Sequence, residues 1–164
     1  MKLIKVLSAS AALLALSVMV RAQSPLDPAQ LLLQPTANWP TYNGDYSGRR
    51  FSPLTKINAT TVKSLSLAWT HRAEDPDGGR RGARISGSPL VVNGVMYFSI
   101  NNHIWAIDAR TGQDIWRFDW KSKGGSALGN RGVGISGSSV YMETPDCNLV
   151  SVDIMTGKEK WHTN

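Results

Sequence analysis

The sequence predicts an all-β fold, a partial β-propeller of about two four-stranded antiparallel blades preceded by short helical turns. Three observations predict it: an eleven-residue unit recurs at an offset of 45 residues, each copy ends on a tryptophan, and turn dipeptides separate short β-rich runs throughout the repeated region. The unit is Ala106-Ile107-Asp108-Ala109-Arg110-Thr111-Gly112-Gln113-Asp114-Ile115-Trp116. It returns as Ser151-Val152-Asp153-Ile154-Met155-Thr156-Gly157-Lys158-Glu159-Lys160-Trp161. Asp, Thr, Gly and Trp match in place. Counted backward without a gap, the same register sets Val95-Met96-Tyr97 over Val140-Tyr141-Met142. Four short strands in a period of this length make one propeller blade, and a blade cannot cover its apolar faces without neighbours.

Each element has a local cause. Asp27-Pro28 opens a short helical turn over residues 27–33, because Asp accepts from freed backbone N–H groups and Pro suits the first helical position. Residues 58–65 predict a second helical turn, ahead of a strand around Trp69. Residues 73–84, rich in Gly, Asp and Arg, read as an exposed loop. Pro89-Leu90-Val91-Val92 then runs into Asn93-Gly94 and Val95-Met96-Tyr97-Phe98-Ser99-Ile100. Asn-Gly between β-rich runs signals a two-residue hairpin, since both central residues of that turn need positive φ. Asn101-Asn102 makes the next turn and His103-Ile104-Trp105-Ala106-Ile107-Asp108 the third strand, with Trp105 and Ile107 on one face and Ile104, Ala106 and Asp108 on the other. Arg110-Thr111-Gly112 turns into a fourth strand ending near Phe118, and residues 122–129 form a Gly/Ser-rich loop before the second blade. Within each unit, Asp108 or Asp153 can accept backbone hydrogen bonds, and Gly112 or Gly157 can adopt a left-handed backbone. Trp116 and Trp161 offer large apolar area for sealing one blade to the next.

Residues 1–22 read as an export signal. Lys2 and Lys5 make a basic start, residues 6–20 are apolar apart from three serines, and Val20-Arg21-Ala22 suits cleavage before Gln23. The apolar run is shorter than the ~20 residues that span a bilayer, so no stable membrane anchor is expected. A periplasmic or secreted protein follows. Residues 23–70 are then an N-terminal extension with a first propeller strand, and residues 71–164 hold the two blades of an incomplete domain. Without Lys2, Lys5 and Arg21 the chain keeps 15 basic against 12 acidic side chains, a net charge of +3. That mild balance, without a basic stripe, points away from nucleic acid. Cys147 is the single cysteine, which excludes an internal disulfide or a cysteine zinc site.

The Trp-terminated unit resembles the tryptophan-docking repeat of pyrroloquinoline-quinone (PQQ)-dependent alcohol dehydrogenases. The stretch Trp39-Pro40-Thr41-Tyr42-Asn43-Gly44-Asp45-Tyr46-Ser47-Gly48-Arg49-Arg50-Phe51-Ser52-Pro53-Leu54 resembles the start of that family's mature domain, and so does Ile57-Asn58 followed by Val62, Leu65 and Ala68-Trp69. The resemblance implies an eight-bladed quinoprotein-type propeller holding PQQ and a metal ion, usually calcium. It also implies oxidation of a small alcohol to a carbonyl, with a carboxylate base and an electron acceptor.

On this resemblance two blades are an N-terminal fragment, inactive alone, with the metal ligands and the catalytic carboxylate expected beyond Asn164. The family's cofactor-contacting Glu falls at Ser86. Its paired cysteines fall at Gly125 and Ser126, which cannot form that disulfide. The Arg that binds a PQQ carboxylate matches Arg131 of Arg131-Gly132; read from the residues alone, Arg131 is equally a charged residue in an inter-blade loop. The departures at Ser86, Gly125 and Ser126 keep an alternative open, a non-catalytic periplasmic propeller used as a binding or assembly scaffold. No phosphate loop, nucleophile elbow or His-Glu-x-x-His motif is present, and His71, His103 and His162 lack ligand spacing.

Overall fold

The computed structural model describes residues 25–74, 85–124 and 130–164. The expected export segment, most of the Gly/Asp/Arg-rich loop (residues 75–84), and Gly125 and Ser126 lie outside the described residues. Two four-stranded antiparallel sheets are built, each a meander in chain order. The first is β1 (Leu90–Val92), β2 (Val95–Ile100), β3 (His103–Asp108) and β4 (Asp114–Asp119). The second is β5 (Gly134–Ser136), β6 (Ser139–Glu143), β7 (Leu149–Asp153) and β8 (Glu159–Thr163). The turn residues act as their chemistry requires. Asn93 and Gly94 both take positive φ, 52° and 80°, and Asn101 takes 47°. The helical turns are 3-10 pieces, Pro28–Leu32 and Val62–Ser64, the first capped by Asp27, whose side chain accepts from the Ala29 N–H.

Both faces of β3 are buried, whereas β4 is mostly exposed. Ile104 and Ala106 enter a cluster shared with Ile135, Val140, Met142, Val150 and Val152 of the second sheet. Trp105 and Ile107 enter a second cluster with Phe98 and Ile100, against which Trp69 packs. The large cluster is therefore the seal between two stacked sheets, as alternation along a strand demands.

The repeated unit makes one device twice. Asp108 Oδ1 accepts from the N–H groups of Arg110 and Thr111 at 2.9 and 2.8 Å, and Asp153 Oδ1 from those of Met155 and Thr156 at 3.1 and 2.9 Å. Burial pushes these two carboxyls up, but the threonine and backbone hydrogen bonds outweigh it and hold both below the usual carboxylate range. Each turn then presents a glycine with positive φ, 74° at Gly112 and 67° at Gly157. A tryptophan lies flat on each: a Cβ added at Gly112 would stand 2.6 Å from Trp69, and one at Gly157 2.6 Å from Trp116. Trp116 Nε1–H also donates to the Ile154 carbonyl at 3.0 Å across the blade boundary. Burying an indole of about 200 Å² at roughly 25 cal/mol per Å² stabilises such a boundary by at most about 5 kcal/mol. Trp161 is 44% exposed.

Two expectations need correction. The gapless register fails upstream of the second hairpin. Ladders pair Val95 with Asp108 in the first blade but Ser139 with Asp153 in the second. So β7 lies 45 residues after β3, whereas β6 lies only 44 after β2. The β6–β7 turn around Thr144–Asn148 absorbs the extra residue, with Cys147 at its tip in a left-handed conformation, φ 64°. A one-residue slip moves every side chain to the other face, which is why Val140 and Met142 face the seal and match Met96 and Phe98 rather than Val95 and Tyr97. The strand expected around Trp69 is also not formed: residues 65–74 join no ladder. Trp69 packs its ring on the first sheet as Trp116 of β4 packs on the second, but among the described residues no strand lies beside residues 65–74 for them to pair with.

The N-terminal extension does more than lead in. Trp39 exchanges two backbone hydrogen bonds with Val91, at 2.7 and 2.9 Å, and so covers the free edge of β1. Leu26, 1% exposed, bonds Gly137 and plugs the large cluster. The extension thus spans the same side of both sheets.

Candidate functional site

The segments that lead into β1 and β5 carry the sequence-marked residues. Ser86 stands four residues before β1, and Asn130 stands four residues before β5. Two glycines let these segments touch. A Cβ added at Gly87 would overlap the carbonyl of Arg131 and the Cα of Gly132, and one at Gly132, where φ is 117°, would meet Gly87 Cα at 3.4 Å. Only backbone without side chains can approach this closely. The contact brings the chain at Ser86 beside the chain at Arg131, and both residues are exposed. Gly125 and Ser126 lie outside the described residues.

Asn130, which sequence reasoning missed, ties this corner to the first blade. Its Oδ1 accepts from the buried Ser99 hydroxyl at 2.5 Å, and its Nδ2 donates to the Asn101 carbonyl at 2.7 Å. The signal that could have found it is its place beside Arg131, at the same distance from its strand as Ser86. A second anchor holds the other side of the inter-blade segment. Asp146, in the β6–β7 turn, accepts from the Thr144 hydroxyl at 2.6 Å, from the Lys123 N–H at 3.0 Å and from Trp120 Nε1–H at 2.9 Å. The Thr144, Lys123 and Trp120 hydrogen bonds hold its carboxyl well below the usual carboxylate range.

Chemically the corner suits an anion. Among the described residues Arg131 makes no ion pair and no hydrogen bond of its side chain, so its fork of donors is available to a carboxylate. Ser86 adds a neutral hydroxyl and no negative charge. A polycarboxylate such as PQQ therefore fits the residues present at one of its acidic ends. No group of His, Cys, Asp or Glu arranged to hold a metal ion occurs among the described residues. His71, His103 and His162 are each bonded to a carboxylate, of Asp114, Asp119 and Glu159. No helix among the described residues is long and apolar enough to cross a membrane.

Stacked four-stranded meanders, sealed by a tryptophan from one unit on the glycine of the next, define a segment of a tryptophan-docked β-propeller. Residues 39–160 match the family described as PQQ, glucose/ethanol/alcohol dehydrogenase, beta-propeller domain, and the chain belongs to that family. It is 40% identical over 136 residues to the quinohemoprotein alcohol dehydrogenase of Comamonas testosteroni, matching 79% of this chain and 18% of that protein. It is 38% identical over 139 residues to the dehydrogenase subunit of the alcohol dehydrogenase (quinone) of Gluconacetobacter polyoxogenes, 77% of this chain and 17% of that protein. The crystal structure of the Comamonas testosteroni enzyme superimposes with a TM-score of 0.68 at 39% identity, over 78% of this chain and 19% of that one. ADHIIG of Pseudomonas putida HK5 gives 0.73 at 32% identity, over 87% and 22%. The chain thus spans about a fifth of the length of the relatives it matches.

Proposed function

We propose that the chain supplies the first two blades of an exported PQQ-dependent alcohol dehydrogenase-like quinoprotein. The whole ring oxidises an alcohol to an aldehyde or ketone and passes the electrons to an acceptor; one relative, from Thauera butanivorans, is named 1-butanol dehydrogenase (cytochrome c). Two blades alone are inactive. The observation that carries the reading is the glycine-on-glycine contact that sets exposed Ser86 beside exposed Arg131, whose side chain has no partner among the described residues, in a chain of this family.

PQQ, with its metal ion, would supply the hydride-accepting quinone when bound. This chain's own part is to bind and orient. Arg131 holds a carboxylate by charge-assisted hydrogen bonds, Ser86 offers a hydroxyl, and Trp116 and Trp69 keep the blades in fixed relation. The metal ligands and the base are assigned to none of these residues. Ser86 supports a second reading. A hydroxyl where the family has a carboxylate removes one charge from the site, which suits a binding or assembly scaffold without cofactor.

Titration of the exported protein with PQQ and calcium separates the two. The dehydrogenase reading expects saturable binding, weakened roughly 10- to 100-fold by Arg131→Ala, the worth of a charge-assisted hydrogen bond of about 1.5–3 kcal/mol. Absence of binding sinks it. N-terminal sequencing that begins elsewhere than Gln23 sinks the proposed export cleavage.

A further inference from the structure

The Asn130 amide is used at both ends, and this sets it apart from an ordinary loop residue. Its oxygen faces a hydroxyl donor, Ser99, that is 2% exposed, and its nitrogen faces a backbone acceptor, the Asn101 carbonyl. Ser99 belongs to β2 and Asn101 to the β2–β3 turn, so both bonds run from the inter-blade segment back to the first blade. The amide thus reads one donor and one acceptor, and neither Asp nor a hydrophobic isostere can replace it. Asp would set a carboxylate oxygen against the Asn101 carbonyl, and Leu would strip the buried Ser99 hydroxyl of its acceptor. The Asn130 oxygen also lies 3.4 Å from the Gly132 N–H, bracketing Arg131 from both sides. Gly132 is in turn pressed on Gly87. Arg131 itself is exposed and bonds nothing among the described residues, so its backbone is fixed by its two neighbours while its side chain stays available.

We propose that Asn130 is a positioning residue for Arg131: by clamping to Ser99 and Asn101 it fixes the backbone from which the guanidinium projects and holds it beside Ser86. This inference rests on the anion-binding reading of Arg131 and adds to it a residue that touches no ligand. A group held by a supporting hydrogen bond loses its preorganisation when that bond is removed, and by analogy with the outer-shell partners of metal ligands, worth roughly 10- to 100-fold, a loss of about 10-fold is expected.

The test uses the exported protein and four forms: wild type, Asn130→Ala, Arg131→Ala and the double variant. Two readouts are taken well below each melting temperature. The first is amide hydrogen exchange of residues 131–134 without ligand. The second is the dissociation constant for PQQ by tryptophan fluorescence quenching. Expected are faster exchange at 131–134 in Asn130→Ala, with β7 amides unchanged, and roughly 10-fold or greater weakening of PQQ binding. In the double variant the two binding losses should not add, because Asn130 acts through Arg131. Unchanged exchange at 131–134 overturns the positioning role whether or not PQQ binds. Additive losses overturn it as well, since Asn130 then acts independently. If Arg131→Ala binds PQQ like wild type, or nothing binds, the anion-site reading falls while the exchange measurement still decides whether Asn130 fixes the segment.

Discussion

Gly157→Ala should destabilise the protein more than Gly137→Ala, and the difference measures the tryptophan seal. Both glycines have positive φ, 67° and 54°, so both substitutions meet the left-handed penalty of a Cβ, about 1–2 kcal/mol. Their surroundings differ. A Cβ at Gly137 meets nothing within 4 Å, whereas at Gly157 it would stand 2.6 Å from two atoms of the Trp116 ring and 3.0 Å from a third. The ring cannot step aside freely. It is 9% exposed, packs with Tyr97 at 5.9 Å between centroids, and its Nε1–H is bonded to Ile154. Forcing an extra carbon into such a contact adds about 1–3 kcal/mol. The expected losses are about 1–2 kcal/mol for Gly137→Ala and about 2–5 kcal/mol for Gly157→Ala. The larger is a substantial part of the 5–15 kcal/mol that holds an ordinary domain together. Urea unfolding followed by tryptophan emission reads both, and at a typical slope the two midpoints should differ by roughly 1 M. Equal losses would refute the reasoning, because the indole would then not rest on that glycine.

Trp116→Phe should lower stability by about 1 kcal/mol through the lost bond to Ile154, and Trp116→Ala by about 3–5 kcal/mol, both by urea unfolding. Trp161→Ala should cost far less, since Trp161 is 44% exposed; a loss equal to that of Trp116→Ala would contradict this. The Asp146 carboxyl has a folded-state pKa below its unfolded value, so its stabilisation is present above about pH 4 and is lost as pH falls through the folded value. Asp146→Asn should therefore be less stable than wild type at pH 7, with the gap closing in acid; a gap constant down to pH 2 would contradict the sign. Residues 23–164 purified alone should melt broadly, because the β8 face is exposed and two repeats fall short of the roughly three that usually stabilise an array; a sharp cooperative melt argues against it.

Most of the blade was legible because its signals are local. Asn93-Gly94 names its turn by backbone chemistry, and the Asp-x-x-Thr-Gly-x-x-x-Trp run repeats a hydrogen-bonded turn with its sealing ring. What escaped depends on partners distant in sequence. Trp69 looks like a strand residue by composition, yet its position is decided by Gly112, 43 residues on. Leu26 and Trp39 showed no sign of bridging Gly137 and Val91, since a bridge is a property of two chain segments and their hydrogen-bonding edges. The register slip escaped because Val95-Met96-Tyr97 and Val140-Tyr141-Met142 look alike at the wrong offset, and only the pairing of Val95 with Asp108 against that of Ser139 with Asp153 resolves it. The candidate site was half legible. Arg131 and Ser86 came from the family resemblance, while Asn130 needed the Ser99 hydroxyl to be seen.

The slip changes what the corner means. At an offset of 45 residues Ser86 would match Arg131, and the two would be one position in successive blades. Ladder pairing sets the offset of β1 and β5 at 44, since Val92 pairs with Val95 and Ser136 with Ser139. Carried back along the chain, Ser86 then matches Asn130, and Arg131 matches Gly87. The lead-ins therefore do not present one residue twice. In the first blade the outer position holds a small hydroxyl and the next position holds no side chain at all, because the Arg131 backbone fills that space. In the second blade the outer position is an amide spent on holding the first blade, and the next is the charge. The repeat makes a directional corner by giving one copy the space and the other the cation. A glycine at 87 is thus as much a condition for Arg131 as the guanidinium itself: a side chain there would push the second lead-in away and move the charge from Ser86.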